Sequence, residues 1–136
     1  GVDVVAERTV WYETGDVSGV ASEIGARRPS RRWVLPPASV HPSTDAVTVM
    51  NPGAEPVSVA LEFLRTNDTP IAPGDLQQIQ IRAGARLKLA VGEYTDGRSI
   101  PALLTASHPV VAERFSYSSR ASDVGSLIGV PLRQLP

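Results

Sequence analysis

Twelve prolines and eleven glycines are spread through this 136-residue chain, and they cut it into apolar stretches only a few residues long. Proline fixes one backbone angle and removes a donor, while glycine loosens the chain. Short stretches between them therefore suit strands and turns. Within the stretches apolar residues alternate. Val57, Val59, Leu61 and Phe63 fall on one side of an extended chain, with Ser58, Ala60, Glu62 and Leu64 on the other. Leu87, Leu89 and Val91 repeat this after the Gly-centred turn "RAGAR", and "NPGAEP" is a strong turn between two such runs. The pattern predicts strands in "VDVVAERTVWYE", "RWVL", "AVTVM", "VSVALEFL", "LQQIQIR", "RLKLAV", "PALLTA" and "VVAERFSY", a weaker one in "VGSLIGV", and no helix. Many short strands with regular turns predict an all-β, immunoglobulin-like antiparallel β-sandwich of roughly 8–9 strands. Its expected core is Val47, Val49, Val57, Val59, Leu61, Phe63, Ile79, Ile81, Leu87, Leu89 and Val91, with Trp11 and Trp33 as packing anchors.

The string "VVAER" occupies Val4 to Arg8 and returns at Val110 to Arg114. The likeness continues: Trp11 matches Tyr117 at an offset of 106, and Ile24-Gly25 matches Ile128-Gly129 at an offset of 104. One unit of about 106 residues is thus followed by the opening of a second copy over 110–136, within a single domain spanning 1–136. The last segment either begins another repeat or completes a sheet that the first began. In extended conformation Val5, Glu7, Thr9 and Trp11 share a face, as do Val111, Glu113, Phe115 and Tyr117. Each glutamate therefore sits among apolar or aromatic neighbours and needs a cation or backbone donors, because burying an unpaired carboxylate costs several kcal/mol. Two readings follow. Glu7 and Glu113 form the acid and base of a glycoside hydrolase, or Glu7, Arg8, Glu113 and Arg114 form ion pairs that fix strand register. A catalytic pair needs two different environments, whereas a duplicated strand supplies one environment twice, so the structural reading is preferred.

Little else in the chain suggests chemistry. With a net charge of −1 there is no global electrostatic case for nucleic acid or an anionic membrane. No apolar run approaches the ~20 residues that span a bilayer, and there is no cysteine for a disulfide, a thiolate nucleophile or a cysteine–zinc site. His41 and His108 each precede proline and lack the spacing of metal ligands. Asp45, Asp68, Asp75, Asp96 and Asp123 fall in turn-like segments, where they are expected to cap turns. No catalytic residue, metal site or cofactor is expected. The remaining anomaly is "ARRPSRRW", residues 26–33. Arg27, Arg28, Arg31 and Arg32 surround Pro29-Ser30, and Trp33 follows. Such a loop holds carboxylates or phosphates if its guanidinium groups converge, and Trp33 either stacks on a sugar ring or packs at the start of a strand. The plainer reading is a solvated loop in a chain where twelve of thirteen basic residues are arginine, Lys88 being the exception, as a GC-rich genome produces.

The segments "VVAERTVWY", "IGARRPSRRWVL", "VTVMNPGAEPVSVALEFL", "IRAGARLKLAV" and "HPVVAERFSY" together resemble a repeat module of secreted or surface proteins from actinobacteria and Chloroflexi. That resemblance covers nearly the whole chain. It implies an immunoglobulin-like fold and an extracellular or cell-envelope location, with no reaction; the four arginines have no counterpart in it. Gly1 in place of an initiator methionine suggests a mature or excised fragment. The resulting expectation is a non-enzymatic structural, adhesive or protein-interaction module. Its partners would be other envelope or repeat-module proteins or envelope glycan, with no nucleic acid and no membrane insertion by this segment. The alternative is a module that binds carbohydrate or anionic polymer through Arg27 to Trp33.

Overall fold

The computed structural model describes residues 4–14, 17–37, 44–66, 69–96, 98, 100–118 and 123–132. Ten strands follow one another: β1 (Glu7–Thr14), β2 (Val17–Ile24), β3 (Ser30–Leu35), β4 (Thr44–Met50), β5 (Val57–Phe63), β6 (Ile79–Ile81), β7 (Arg86–Ala90), β8 (Ala102–Ser118), β9 (Asp123–Ile128) and β10 (Val130–Pro131). Every pairing between them is antiparallel.

The 17-residue strand β8 organises the rest. Its first part, Ala102 to Ala106, runs between β3 and β5, with β10 beyond β3 and β6 beyond β5. Its second part, Val111 to Tyr117, runs between β4 and β9, with β7 beyond β4. One strand thus belongs to a front sheet, β10-β3-β8-β5-β6, and to a back sheet, β7-β4-β8-β9. The passage from one to the other falls at Ser107-His108-Pro109, where the pairing with β3 shifts register between Ser30 and Arg32. Pro109 has no N–H to give a ladder, so a sheet corner is where it fits.

The two sheets enclose a core that follows the alternation of the sequence. Val47, Val49, Val57, Val59, Leu61, Phe63, Ile81 and Val91 are buried, joined by Leu35, Leu104, Val110 and Ala112; Ile79, Leu87 and Leu89 pack against its margin. The fold is therefore the expected all-β antiparallel sandwich, with ten strands. "NPGAEP" turns as predicted, and buried Asn51 is the reason. Its Nδ2 donates to the carbonyls of Glu55 (2.8 Å), Ile81 (3.1 Å) and Arg82 (3.2 Å), while its Oδ1 accepts the Gly53 N–H at 2.9 Å. Gly84, at φ 66°, supplies the left-handed residue that the "RAGAR" turn requires.

Several expectations need correction. "PALLTA" and "VVAERFSY" are parts of one strand, β8. The segment "VSGVASEI", absent from the expected strands, is β2. Two single 3-10 turns, at Gly74–Leu76 and Gly92–Thr95, were not anticipated. Trp11 is 80% exposed and anchors nothing, because its strand lies outside the sandwich with one face covered. Asp45 is buried inside β4, where its carboxylate accepts from Arg114. His41 and Asp68 lie outside the described residues, and His108 is exposed at the corner.

Candidate functional site

Strands β1 and β2 form a separate two-stranded ribbon laid over the back sheet as a third layer. It is a copy of the ribbon made by the second half of β8 with β9. Glu7 pairs with Ile24 as Glu113 pairs with Ile128, and Trp11 with Val20 as Tyr117 with Val124. Even the closing bond repeats. Gly25 N–H donates to Ala6 C=O at 2.8 Å, and Gly129 N–H donates to Ala112 C=O at 2.9 Å. The internal repeat is a duplicated β-ribbon, and the two copies are stacked. Tyr12 lies against Phe115 and Tyr117, with ring centroids 6.1 Å and 4.5 Å away. Gly19 sits so close to Val124 that an added Cβ would approach Val124 Cγ2 to 2.4 Å. Hence β1 rests on β8 and β2 rests on β9.

The stacking settles the geometry of the repeated charges. Arg8 turns inward, and its Nη2 donates to Glu113 Oε1 and to Ser126 Oγ; Ser126 Oγ also donates to Glu113 at 2.6 Å. The arginine of the first copy thus takes the glutamate of the second. Partial burial lowers the Arg8 pKa, Arg86 adds to this, and Glu23 opposes it. Arg114 turns inward at the matching place and binds a different acid. Its Nε and Nη2 reach the two oxygens of Asp45 at 2.8 and 2.5 Å, and its Nη1 donates to the carbonyls of Pro36 and Ile100. This is a fully satisfied buried pair, with side chains 2% and 0% exposed. Glu7 projects from the opposite side of β1, exposed to solvent. Glu7 and Glu113 therefore sit on opposite sides of β1 and do not flank a common groove, as an acid–base pair must. Three of the four residues assigned to ion pairing are so engaged; Glu7 forms no such pair among the described residues.

The arginine stretch is open to water, with Arg27 and Arg28 in the loop before β3 and Arg31 and Arg32 inside β3, where a loop was expected. Arg27, Arg28, Arg31 and Arg32 are all exposed. Trp33, by contrast, is fully buried, and its Nε1 donates to the carbonyls of Ser30 and Val110, each at 3.0 Å. Trp33 holds the loop onto the sandwich and offers no face to a sugar ring. No group of three or more His, Asp or Glu side chains that could hold a metal ion occurs among the described residues. Among the described residues no helix is long and apolar enough to cross a membrane.

Sequence reasoning missed the surface that the duplicated ribbon creates. In an antiparallel ladder, hydrogen-bonded and non-hydrogen-bonded pairs alternate. The Ala6–Gly25 bond sets the phase, so Arg8, Val10, Tyr12 and Thr14 bond to β2. The N–H and C=O groups of Glu7, Thr9, Trp11 and Glu13 then point to the other edge of β1, which no strand occupies among the described residues. On the second ribbon the corresponding groups, at Glu113, Phe115 and Tyr117, face β4. The open edge lies on the β4 side, because β2 covers β9. Beside it, on the outer face of β4 and β7, Met50, Arg86, Lys88 and Ala90 are exposed, while Ala46 and Thr48 of β4 are buried. Lys88 reaches over β4 to lie 5.9 Å from the centre of the Phe115 ring. The ribbon's own outer face carries Trp11, Val20 and Ile24 in the open, at 80%, 57% and 60% exposure. The signal that pointed here was the alignment of Ile24-Gly25 with Ile128-Gly129, which makes β2 the counterpart of β9.

The sequence matches no protein-family model and no curated protein. Among solved structures it is similar to Thermotoga maritima 1070, with a TM-score of 0.63 and 16% identity over 76% of this chain and 96% of that one. It is also similar to the Anabaena sensory rhodopsin transducer, with a TM-score of 0.49 and 14% identity over 62% of this chain and 92% of that one. At these identities the first likeness speaks for the β fold.

Proposed function

We propose that this chain is a non-enzymatic interaction module of a secreted or cell-envelope bacterial protein, joining other envelope or repeat-module proteins through the β1–β2 ribbon. The observation that carries the reading is the open edge of β1. It is eight residues long, unbroken by proline or a register shift, and runs beside an exposed tryptophan. Natural sheets blunt such edges with charged side chains, proline, bulges or a covering segment. β1 carries Glu7, Arg8 and Glu13 but has no proline, bulge or covering strand among the described residues, so its ladder groups can template another strand. The envelope location in this proposal comes from the resemblance to surface repeat modules. The test is a screen of extended eight-residue peptides against the isotope-labelled chain. Binding segments are expected to shift the amides of Glu7, Thr9, Trp11 and Glu13 and slow their exchange. A chain whose edge amides respond to none of them does not act through this edge.

A second reading rests on the four exposed arginines. It has the loop hold an anionic envelope polysaccharide without help from Trp33. That reading predicts salt-sensitive retention on such a polymer, abolished by joint Arg27, Arg28, Arg31 and Arg32→Ala substitution. Retention that survives the substitution removes the loop from consideration.

A further inference from the structure

We propose that the strand accepted by β1 is an acidic one: an extended segment of another protein whose carboxylates alternate along one face. The inference rests on the interaction-module reading and names the partner chemistry of the same edge. A strand added to β1 lies ~5 Å to its side, and stacked layers are ~10 Å apart. It would therefore pass above β4 and β7, in a step whose wall is the open backbone edge of β1 and whose floor is the outer face of those two strands.

The floor is cationic. Its exposed charged side chains are Arg86 and Lys88, and neither has an acidic partner among the described residues. Arg8 stands at the foot of the wall, close enough to Arg86 for that charge to help lower the Arg8 pKa. Of the carboxylates nearby, Glu113 is already taken by Arg8 and Ser126, and Glu23 faces Arg8 across the β1–β2 ladder. An incoming strand has every second side chain pointing down onto this floor. Glutamate or aspartate at those positions relieves the repulsion between Arg8, Arg86 and Lys88, while lysine or arginine adds to it. Its other side chains continue the outer face of the ribbon, next to Trp11 and Val20, and are best apolar. The duplicate shows that the fold accommodates this addition. At the matching edge of the second ribbon a strand is already in place, and β4 brings the acid Asp45 to the arginine of that copy. The same charge argument disfavours a second copy of β1 as the added strand. Pairing that keeps inner face with inner face sets its Arg8 down on Arg86 and Lys88.

The experiment uses the whole chain and three eight-residue peptides of alternating Glu/Val, Lys/Val and Ser/Val. Binding is followed by Trp11 fluorescence and by the exchange of the Glu7, Thr9, Trp11 and Glu13 amides. The Glu/Val peptide is expected to bind about tenfold more tightly than Lys/Val, the scale of two partly exposed ion pairs, with the gap closing as salt is raised. Joint Arg86→Glu and Lys88→Glu substitution should invert the order. Thr9→Pro should weaken every peptide about tenfold or more while leaving the fold intact, because proline is tolerated where an edge N–H has no partner. Equal binding of all three peptides at the edge overturns the acidic partner and leaves the module reading standing. So does a concentration-dependent dimer that protects the same amides without peptide. Edge amides that exchange freely under every condition overturn both.

Discussion

Two ribbons of related sequence sit in this protein under different circumstances. The ribbon of β8 and β9 has a strand on its edge, a sheet behind its inner face and the other ribbon on its outer face. Among the described residues, the β1–β2 ribbon has its inner face covered and its edge and outer face bare. Their ladders match pair for pair, down to the closing glycine bond. Local sequence therefore dictates the ribbon, and position in the stack dictates what its side chains do. Arginine turns inward in both copies. In one it is 2% exposed and in the other 39%, which separates a core ion pair from a clasp between layers.

If that contrast is right, Arg114→Met should be the most damaging change. It leaves the Asp45 carboxylate buried and unpaired and removes donors to two carbonyls, a loss of about 3–5 kcal/mol in denaturant unfolding. Gly19→Val should come next, at up to ~3 kcal/mol of local overpacking against Val124. It should be read as faster exchange and proteolysis of β1–β2 with the sandwich transition unmoved. If the sandwich melts together with the ribbon, the two are not separable layers. The matched glycines offer a direct comparison. At Gly129 a new Cβ meets Leu35 Cδ2 and Trp33 Cε3 at 3.0 Å, within the core, whereas at Gly25 it meets only Ala6, at 3.3 Å. Gly129→Ala should cost about 1–3 kcal/mol and Gly25→Ala less than about 1; equal costs would break the comparison. Arg8→Met should cost under about 1 kcal/mol, since its pair is partly solvated.

The smallest effect is spectroscopic. Hydrogen bonds with Thr44 and then Tyr12 hold the Tyr117 phenol below its usual pKa, while a hydrogen bond donated to Asp75 pushes Tyr94 up to about 12. An alkaline titration should therefore resolve the two, and Tyr12→Phe should move Tyr117 upward and leave Tyr94 in place. For Tyr94 the folded value lies above its ordinary 10.0. The stability from its bond is thus complete below pH 10 and disappears as pH climbs from about 10 to about 12.

The sandwich was legible because period-two alternation reports a half-buried strand directly, as at Val57 to Phe63. The repeat was legible too, since Ile24-Gly25 and Ile128-Gly129 keep their spacing. The stacking of the two copies was not. Alternation says that Glu7 and Glu113 face the same way in their own strands, yet whether a layer lies over that face depends on contacts far apart in sequence. β2 escaped notice for a related reason. Gly19 and Ala21 face the back sheet, where closeness of approach matters more than apolar bulk, so the strand lacks the hydrophobic signature of its neighbours. Asp45 looked like a turn residue because its partner Arg114 lies 69 positions away. Trp11 and Trp33 were indistinguishable as large apolar residues, and only the layer in which each strand falls separates them.

The long strand through both sheets also sets an order of events in biosynthesis. While the chain emerges, β1 with β2, β4 with β7 and β5 with β6 can zip together as each is made. None of these pieces encloses a core. The strand that β3, β4, β5 and β9 all share begins at Ala102, so β1 to β7 all leave the ribosome before the two halves have anything to close around. Such distant pairing is slow. Until it happens, the nascent chain depends on its prolines, glycines and charges to stay apart from its neighbours.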